Sequence, residues 1–202
     1  MKVKMMGSPR LFRPAALCVS ALLSASCLGG GSTPKELLTL TPAQVLPAGE
    51  SRSAGAGEVL AVLTPTVSRA INTRRIPVYV NPITIEYLVN ATYVEEPNVL
   101  FRRVLAETIG ARTGRLVLDP GNFTQEAGAT LSGQLLQFGF EPARMEVVIA
   151  YEATLSRGTE SLLARRFESR VAVTAQTAAV IAPAINQAAN QVAQQVADWI
   201  GG

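Results

Sequence analysis

The sequence predicts an α/β fold of the α+β type, a two-layer sandwich in which a mainly antiparallel sheet with a C-terminal meander packs against two amphipathic helices. Two observations carry this expectation. Between residues 129 and 173 apolar side chains recur at every second position, in runs separated by short turn signals, as strands of a half-buried sheet require. Around residues 97–109 and 181–199 the spacing changes to three and four, and each stretch carries one apolar stripe, the pattern of a helix lying on a sheet.

Before any of this comes Lys2, Lys4, Arg10 and Arg13, then a short apolar run from Ala15 to Leu23 closed by Ser24-Ala25-Ser26-Cys27, the three-part layout of a secretory signal. The run falls well short of the roughly 20 apolar residues that cross a bilayer. Gly29-Gly30-Gly31-Ser32-Thr33-Pro34 follows and reads as a flexible tether. A signal that stops at a cysteine and is followed by a tether resembles a bacterial lipoprotein, which implies that Cys27 takes a lipid and becomes the mature N-terminus. Ser26 and Ala25 fit that pattern, whereas Ser24 stands where a branched apolar residue is usual. The alternative is an ordinary signal cut near Ala25 or Ser26 that leaves Cys27 a free thiol. The expected organisation is a signal over 1–26, the lipidated cysteine and tether over 27–35, and one domain over 36–202.

All four charged residues of the first 26 are basic, so 14 of the 18 Lys and Arg remain against 15 Asp and Glu, and the net charge of the rest is −1. That balance gives no electrostatic case for nucleic acid. The chain has no histidine, and its second cysteine, Cys18, lies within the signal. A histidine-activated nucleophile, a His/Cys zinc site and a disulfide within the mature chain are therefore excluded. The acidic residues are scattered singly apart from Glu95-Glu96, so neither a catalytic set, a metal nor a cofactor is expected.

In chain order, Glu36 to Pro42 reads as an edge strand ended by proline, and Ala43 to Gly57 as a loop. Glu58 to Leu63 is apolar almost throughout and reads as a strand buried on both faces. Arg75–Val80 and Ile83–Leu88, separated by Asn81-Pro82, form either a tight hairpin or one bent strand. Ile76, Val78 and Val80 share one face of the first run, and Ile83, Ile85 and Tyr87 share one face of the second. Arg74 and Arg75 before them read as a solvated strand end, or else as a contact to lipid phosphate or a partner. Glu95-Glu96-Pro97 opens a helix whose stripe is Leu100, Phe101, Val104, Leu105, Thr108 and Ile109, ending near Gly110 or Gly114. Leu116 to Leu118 is a short strand closed by Asp119-Pro120-Gly121.

The longest β run, Ala129 to Phe140, places Leu131, Gly133 and Leu135 on one side and then switches phase, so that Leu136, Phe138 and Phe140 alternate on the other. A bulge or a second apolar face accounts for such a switch. If it is a second face, Leu136, Phe138 and Phe140 are the candidate partner surface. Met145–Leu155 and Leu163–Val173 complete the meander, the latter with Leu163, Phe167, Val171 and Val173 inward and Arg166, Glu168 and Arg170 outward. Phe101, Leu105, Ile149 and Phe167 are expected in one core. Ala182-Pro183 begins the last helix, with Ile181, Ile185, Ala188, Val192, Val196 and Trp199 as its stripe.

Several pieces in this order, Leu38-Thr39-Leu40, Asn72 to Ile76, Ile85-Glu86-Tyr87-Leu88, Tyr93 to Pro97, Leu100 to Leu105, Leu131-Ser132-Gly133 with Phe138, the Phe167 strand and an Ala/Gln-rich last helix with Trp199, resemble the ABC-type transport auxiliary lipoprotein family. Tyr93 stands where the family often has Trp. The resemblance implies a non-catalytic periplasmic lipoprotein working with an ABC permease, its ATPase and a substrate-binding protein of the mammalian-cell-entry type to move lipid between membranes. Leu28 after the cysteine, in place of a retaining aspartate, implies the periplasmic face of the outer membrane in preference to the inner. A homo-oligomer is compatible with this expectation. The alternative from another class is an envelope-assembly lipoprotein that scaffolds an outer-membrane protein.

Overall fold

The computed structural model describes residues 36–55, 58–119, 127–158 and 161–201. The expected signal, Cys27 with its tether, and Pro120-Gly121 of the turn after Asp119 lie outside the described residues.

Ten elements follow one another: β1 (Leu60–Val62), β2 (Thr66–Val67), β3 (Arg75–Asn81), β4 (Thr84–Thr92), α1 (Pro97–Thr113), β5 (Val117–Leu118), β6 (Ala129–Glu141), β7 (Glu146–Arg157), β8 (Ser161–Ala172) and α2 (Ala178–Gly201). The long strand β6 organises the sheet. Along one edge β7 pairs with it antiparallel over its whole length, and β8 pairs with β7, which is the expected meander. Along the other edge β1, β2 and β3 follow head to tail, all parallel to β6: Leu60 lies opposite Ala129, Thr66 opposite Gln134 and Val78 opposite Phe140. β5 flanks β1 in parallel, and β4 flanks β3 as an antiparallel hairpin, so Asn81-Pro82 makes a turn and not a bend. The sheet is thus mixed. Its parallel pairs need long crossovers, and the chain between β1 and β5, which contains α1, is one of them.

Both helices cover the same face. Phe101 of α1 meets Tyr151 of β7 edge-on, with ring centroids 5.4 Å apart, while Trp199 of α2 meets Phe167 of β8 at 5.6 Å. Tyr151 and Phe167 are directly opposed across the strands. Phe101, Leu105, Ile149 and Phe167 belong to one core as expected, and each such side chain contributes about 1.5–3 kcal/mol by leaving water. The whole stripe of α1 is buried, and the helix ends on Gly114, whose left-handed backbone lets its N–H reach the carbonyl of Gly110 at 3.1 Å. α2 starts one turn earlier than Pro183 suggests. Pro183 sits on the exposed side, where the Ala179 carbonyl that its missing N–H leaves unbonded belongs to an exposed residue, and the stripe from Ile181 to Val196 is buried.

The phase switch in β6 is a bulge. Leu135 pairs with Tyr151 and Gln137 with Ala150, leaving Leu136 unpaired. One extra residue restores the alternation, so Leu131 and Leu135 before the bulge and Phe138 and Phe140 after it all face the helices, opposite Leu155, Tyr151, Ile149 and Val147. No second apolar face exists along β6, and the expectation of a partner surface at Phe138 and Phe140 is corrected: both are wholly buried. Leu136 itself is half-buried.

Two further expectations shift. Glu36 to Pro42 forms no full strand. A single parallel bridge joins Leu38 to Tyr93, and Leu40 drops into the core. Leu163 is exposed, because α2 runs back along β8 and ends at Gly201 beside Phe167, so the preceding turn of sheet, Ser161 to Arg166, overhangs the helix layer.

Candidate functional site

The chain enters the domain through a strap, residues 36–46, and the strap is held by side chains. Asn190 Nδ2 donates to the carbonyl of Thr41 at 2.9 Å while its Oδ1 accepts the N–H of Ala43 at 2.6 Å. One turn earlier on α2, Asn186 Oδ1 accepts the N–H of Thr41 at 2.8 Å. Two asparagines four apart on a helix point the same way, and together they satisfy three backbone groups that no sheet ladder serves. Asn190 is buried. The apolar stripe read from the sequence includes neither asparagine. The available signal was two poor helix formers at i and i+4 within an alanine-rich helix.

Beside the strap an open groove of about 650 Å³ lies between Leu40, Val45 and Leu46, the outer side of α1 at Arg102 and Ala106, and β5 at Leu118. Arg102 closes one wall with an ion pair to Asp119 at 2.8 Å. Arg103 is engaged by Glu95 ahead of the helix, with one contact at 2.9 Å.

Arg74 and Arg75 are both exposed at the base of the β3–β4 hairpin. The Arg75 guanidinium lies 4.3 Å from the centre of the Tyr87 ring, a cation–π contact, and the Tyr87 hydroxyl donates to the Ala70 carbonyl. The structure therefore does not gather the expected interface residues: two arginines are at the surface, Leu136 is half-buried, and Phe138 and Phe140 are core.

The hairpin carries an apolar tip, made by Ile83 and Ile85 of the second run and Val80 of the first. Ile83 is 95% exposed, Ile85 42% and Val80 38%. Tyr79 pairs with Ile85 and Val78 with Glu86, and a register shift between Tyr79 and Asn81 leaves Val80 unpaired, so exposed apolar groups lie on both strands of the hairpin. From Ile76 to Ile85 no residue is charged. The signal was visible: a two-residue turn containing Ile, where polar residues are usual.

Under the helices, Gly133 of the Leu-Ser-Gly motif has a physical reason. A Cβ there would stand 2.2 Å from the Glu152 carbonyl and 2.7 Å from the Tyr151 hydroxyl, which donates to Ser132 O at 3.0 Å. Tyr93, packed against Phe138 at 6.0 Å, is wholly buried, and its hydroxyl has no hydrogen-bond partner among the described residues. Burial pushes the phenols of Tyr93 and Tyr151 well above the usual range. On the opposite face of the sheet Arg170 is held by Glu141 at 2.6 Å and Glu168 at 2.8 Å. Partial burial acts to raise the Glu168 pKa, but hydrogen bonds from Arg170 and Arg166 outweigh it and hold the carboxyl below its ordinary value. Among the described residues no three His, Cys, Asp or Glu side chains gather as a metal site would need, and no helix is long and apolar enough to cross a membrane.

A single-layer helix cover on a mixed sheet, entered through a clamped strap, defines an α+β domain. The chain belongs to the ABC-type transport auxiliary lipoprotein component family, whose model matches residues 38–197. The match begins at the residue that bridges to Tyr93 and ends in the last turn of α2. Two solved structures share the fold. Protein XCC0632 from Xanthomonas campestris aligns with a TM-score of 0.61 at 17% identity, covering 83% of this chain and 92% of that one. The crystal structure of an uncharacterized protein aligns with a TM-score of 0.60 at 14% identity, covering 82% and 97%. No curated protein matches the chain.

Proposed function

We propose that this auxiliary lipoprotein is tied through Cys27 to the periplasmic face of the outer membrane and serves, without catalysing a reaction, an ABC-type system that moves lipid between membranes. Its partner there is a substrate-binding protein of the mammalian-cell-entry type. The observation that carries the reading is the family match, which runs through nearly the whole described fold from the strap to α2. Cys27 closing a signal-like segment supports the anchor, and Leu28 after it supports the outer membrane. Two or more acyl chains hold a protein stably where one barely does, each buried CH₂ contributing about 0.8 kcal/mol. Arg74, exposed at the hairpin base, is the cation offered to a partner.

The test is Cys27→Ser in the native envelope, with mass spectrometry of the mature N-terminal peptide of the wild type. An acylated Cys27 peptide, and release of the variant from membranes into the soluble periplasm, are expected. An unmodified peptide beginning at Ser26 or Leu28 contradicts the anchor.

A further inference from the structure

Pro82 and Ile83 form the turn between Asn81 and Thr84, which pair across the β3–β4 hairpin. Pro82 has no N–H to donate, and the N–H of Ile83 donates to Asn81 Oδ1 at 3.0 Å. The apex is thus unusual in three respects. It carries the almost fully exposed Ile83, its two strands show Val80 and Ile85, and its turn donors are already satisfied or absent. Apolar groups on both strands and at the apex suit a medium that surrounds the tip, and a backbone with its donors met pays the least for leaving water.

We propose that this tip is a membrane wedge, which enters the lipid interface of the leaflet that holds the anchor. The idea rests on the anchored reading above for the choice of membrane, and the chain length agrees with it. Leu38 pairs parallel with Tyr93 at the far end of β4, so the strap's earlier residues run back toward the tip. β4 places Tyr93 at most ~34 Å from the apex, and the residues between Cys27 and Leu38 reach up to ~40 Å. Anchor and tip can meet one surface. The hairpin carries no charge between Val78 and Ile85, and the first one after the turn, Glu86, lies opposite Val78 at the base of the tip, which lowers the cost of entry for the apex itself. The other protruding hairpin end, β7–β8, also exposes Leu162 and Leu163, but Arg157, Arg165 and Arg166 flank them, which makes it the natural control.

The full chain carrying Ile83→Trp or Leu162→Trp is reconstituted in vesicles of phosphatidylethanolamine and phosphatidylglycerol whose acyl chains are brominated in part. Both sites are exposed, so neither substitution disturbs the core. After subtraction of the Trp199 signal, emission of Ile83→Trp is expected to be blue-shifted and quenched several-fold more than that of Leu162→Trp. Equal quenching at the two sites overturns the wedge, and so does a blue shift without lipid quenching, which places the tip in a second copy or another protein. The acylation state of Cys27 in the same preparation is read by mass spectrometry. An unacylated chain whose tip is still quenched keeps the wedge and loses the anchor, whereas an acylated chain with an unquenched tip does the reverse.

Discussion

Asn190 reaches from the last helix to Thr41 in the strap, 149 residues away in sequence, and its amide both donates to the Thr41 carbonyl and accepts from Ala43. Because the strap is the first described segment of the chain and α2 the last, this side chain ties the two ends of the domain together. Asn190→Ala removes two part-buried hydrogen bonds, from the Thr41 carbonyl and the Ala43 N–H, at a cost of about 1 kcal/mol each. Urea unfolding should show that loss, and hydrogen exchange should show faster exchange at Ala43 while the amides of β7 stay protected. Unchanged protection at Ala43 would mean that the bridge to Tyr93 alone holds the strap.

Gly133→Ala is expected to destabilise by about 3 kcal/mol, since its methyl would overlap the Glu152 carbonyl and the Tyr151 hydroxyl and neither can move without breaking the β6–β7 ladder. Thermal melts of the two proteins check this. A neutral substitution would show that β7 can shift at that point.

Phe140→Ala tests the bulge. With Phe140 facing the helices the loss should be about 3–5 kcal/mol, while Leu136→Ala, at the half-buried bulge position, should cost clearly less. Equal effects in chemical denaturation would contradict the register.

The buried phenols set the alkaline limit. Both pKa values are raised in the folded state, so their contribution is complete below about pH 10, the unfolded value, and is lost as pH rises above it. Stability should therefore fall on going above pH 10. Tyr93→Phe removes an unpartnered buried hydroxyl, so it should raise stability at neutral pH by about 1 kcal/mol and flatten the alkaline fall. Denaturant midpoints measured across that range decide both points.

Much of this architecture is written in local patterns. The stripe from Leu100 to Ile109 has one period and one possible partner face, so helix, register and burial follow together. The meander is legible for the same reason. What could not be read is set by distant contacts. The bulge at Leu136 and a second apolar face produce the same string of residues, and the choice between them is made by pairing with β7. Leu163 alternates correctly with Phe167, yet its exposure depends on where α2 ends. The parallel run of β1, β2 and β3 along β6 has no local signature, because each piece is two to seven residues long. The strap clamp required knowing that Asn186 and Asn190 meet a segment from the other end of the chain.

In the proposed function the protein acts by association within an ABC-type lipid transport system. The most direct measurement is affinity purification of the intact, membrane-anchored chain from mildly solubilised envelopes after cross-linking, with identification of what is joined to it. Recovery of an ABC permease or ATPase together with a mammalian-cell-entry-type protein, lost when Cys27→Ser frees the chain from the membrane, is the expected result. Recovery of an outer-membrane protein under assembly, with no transporter component at any cross-linker length, would contradict it.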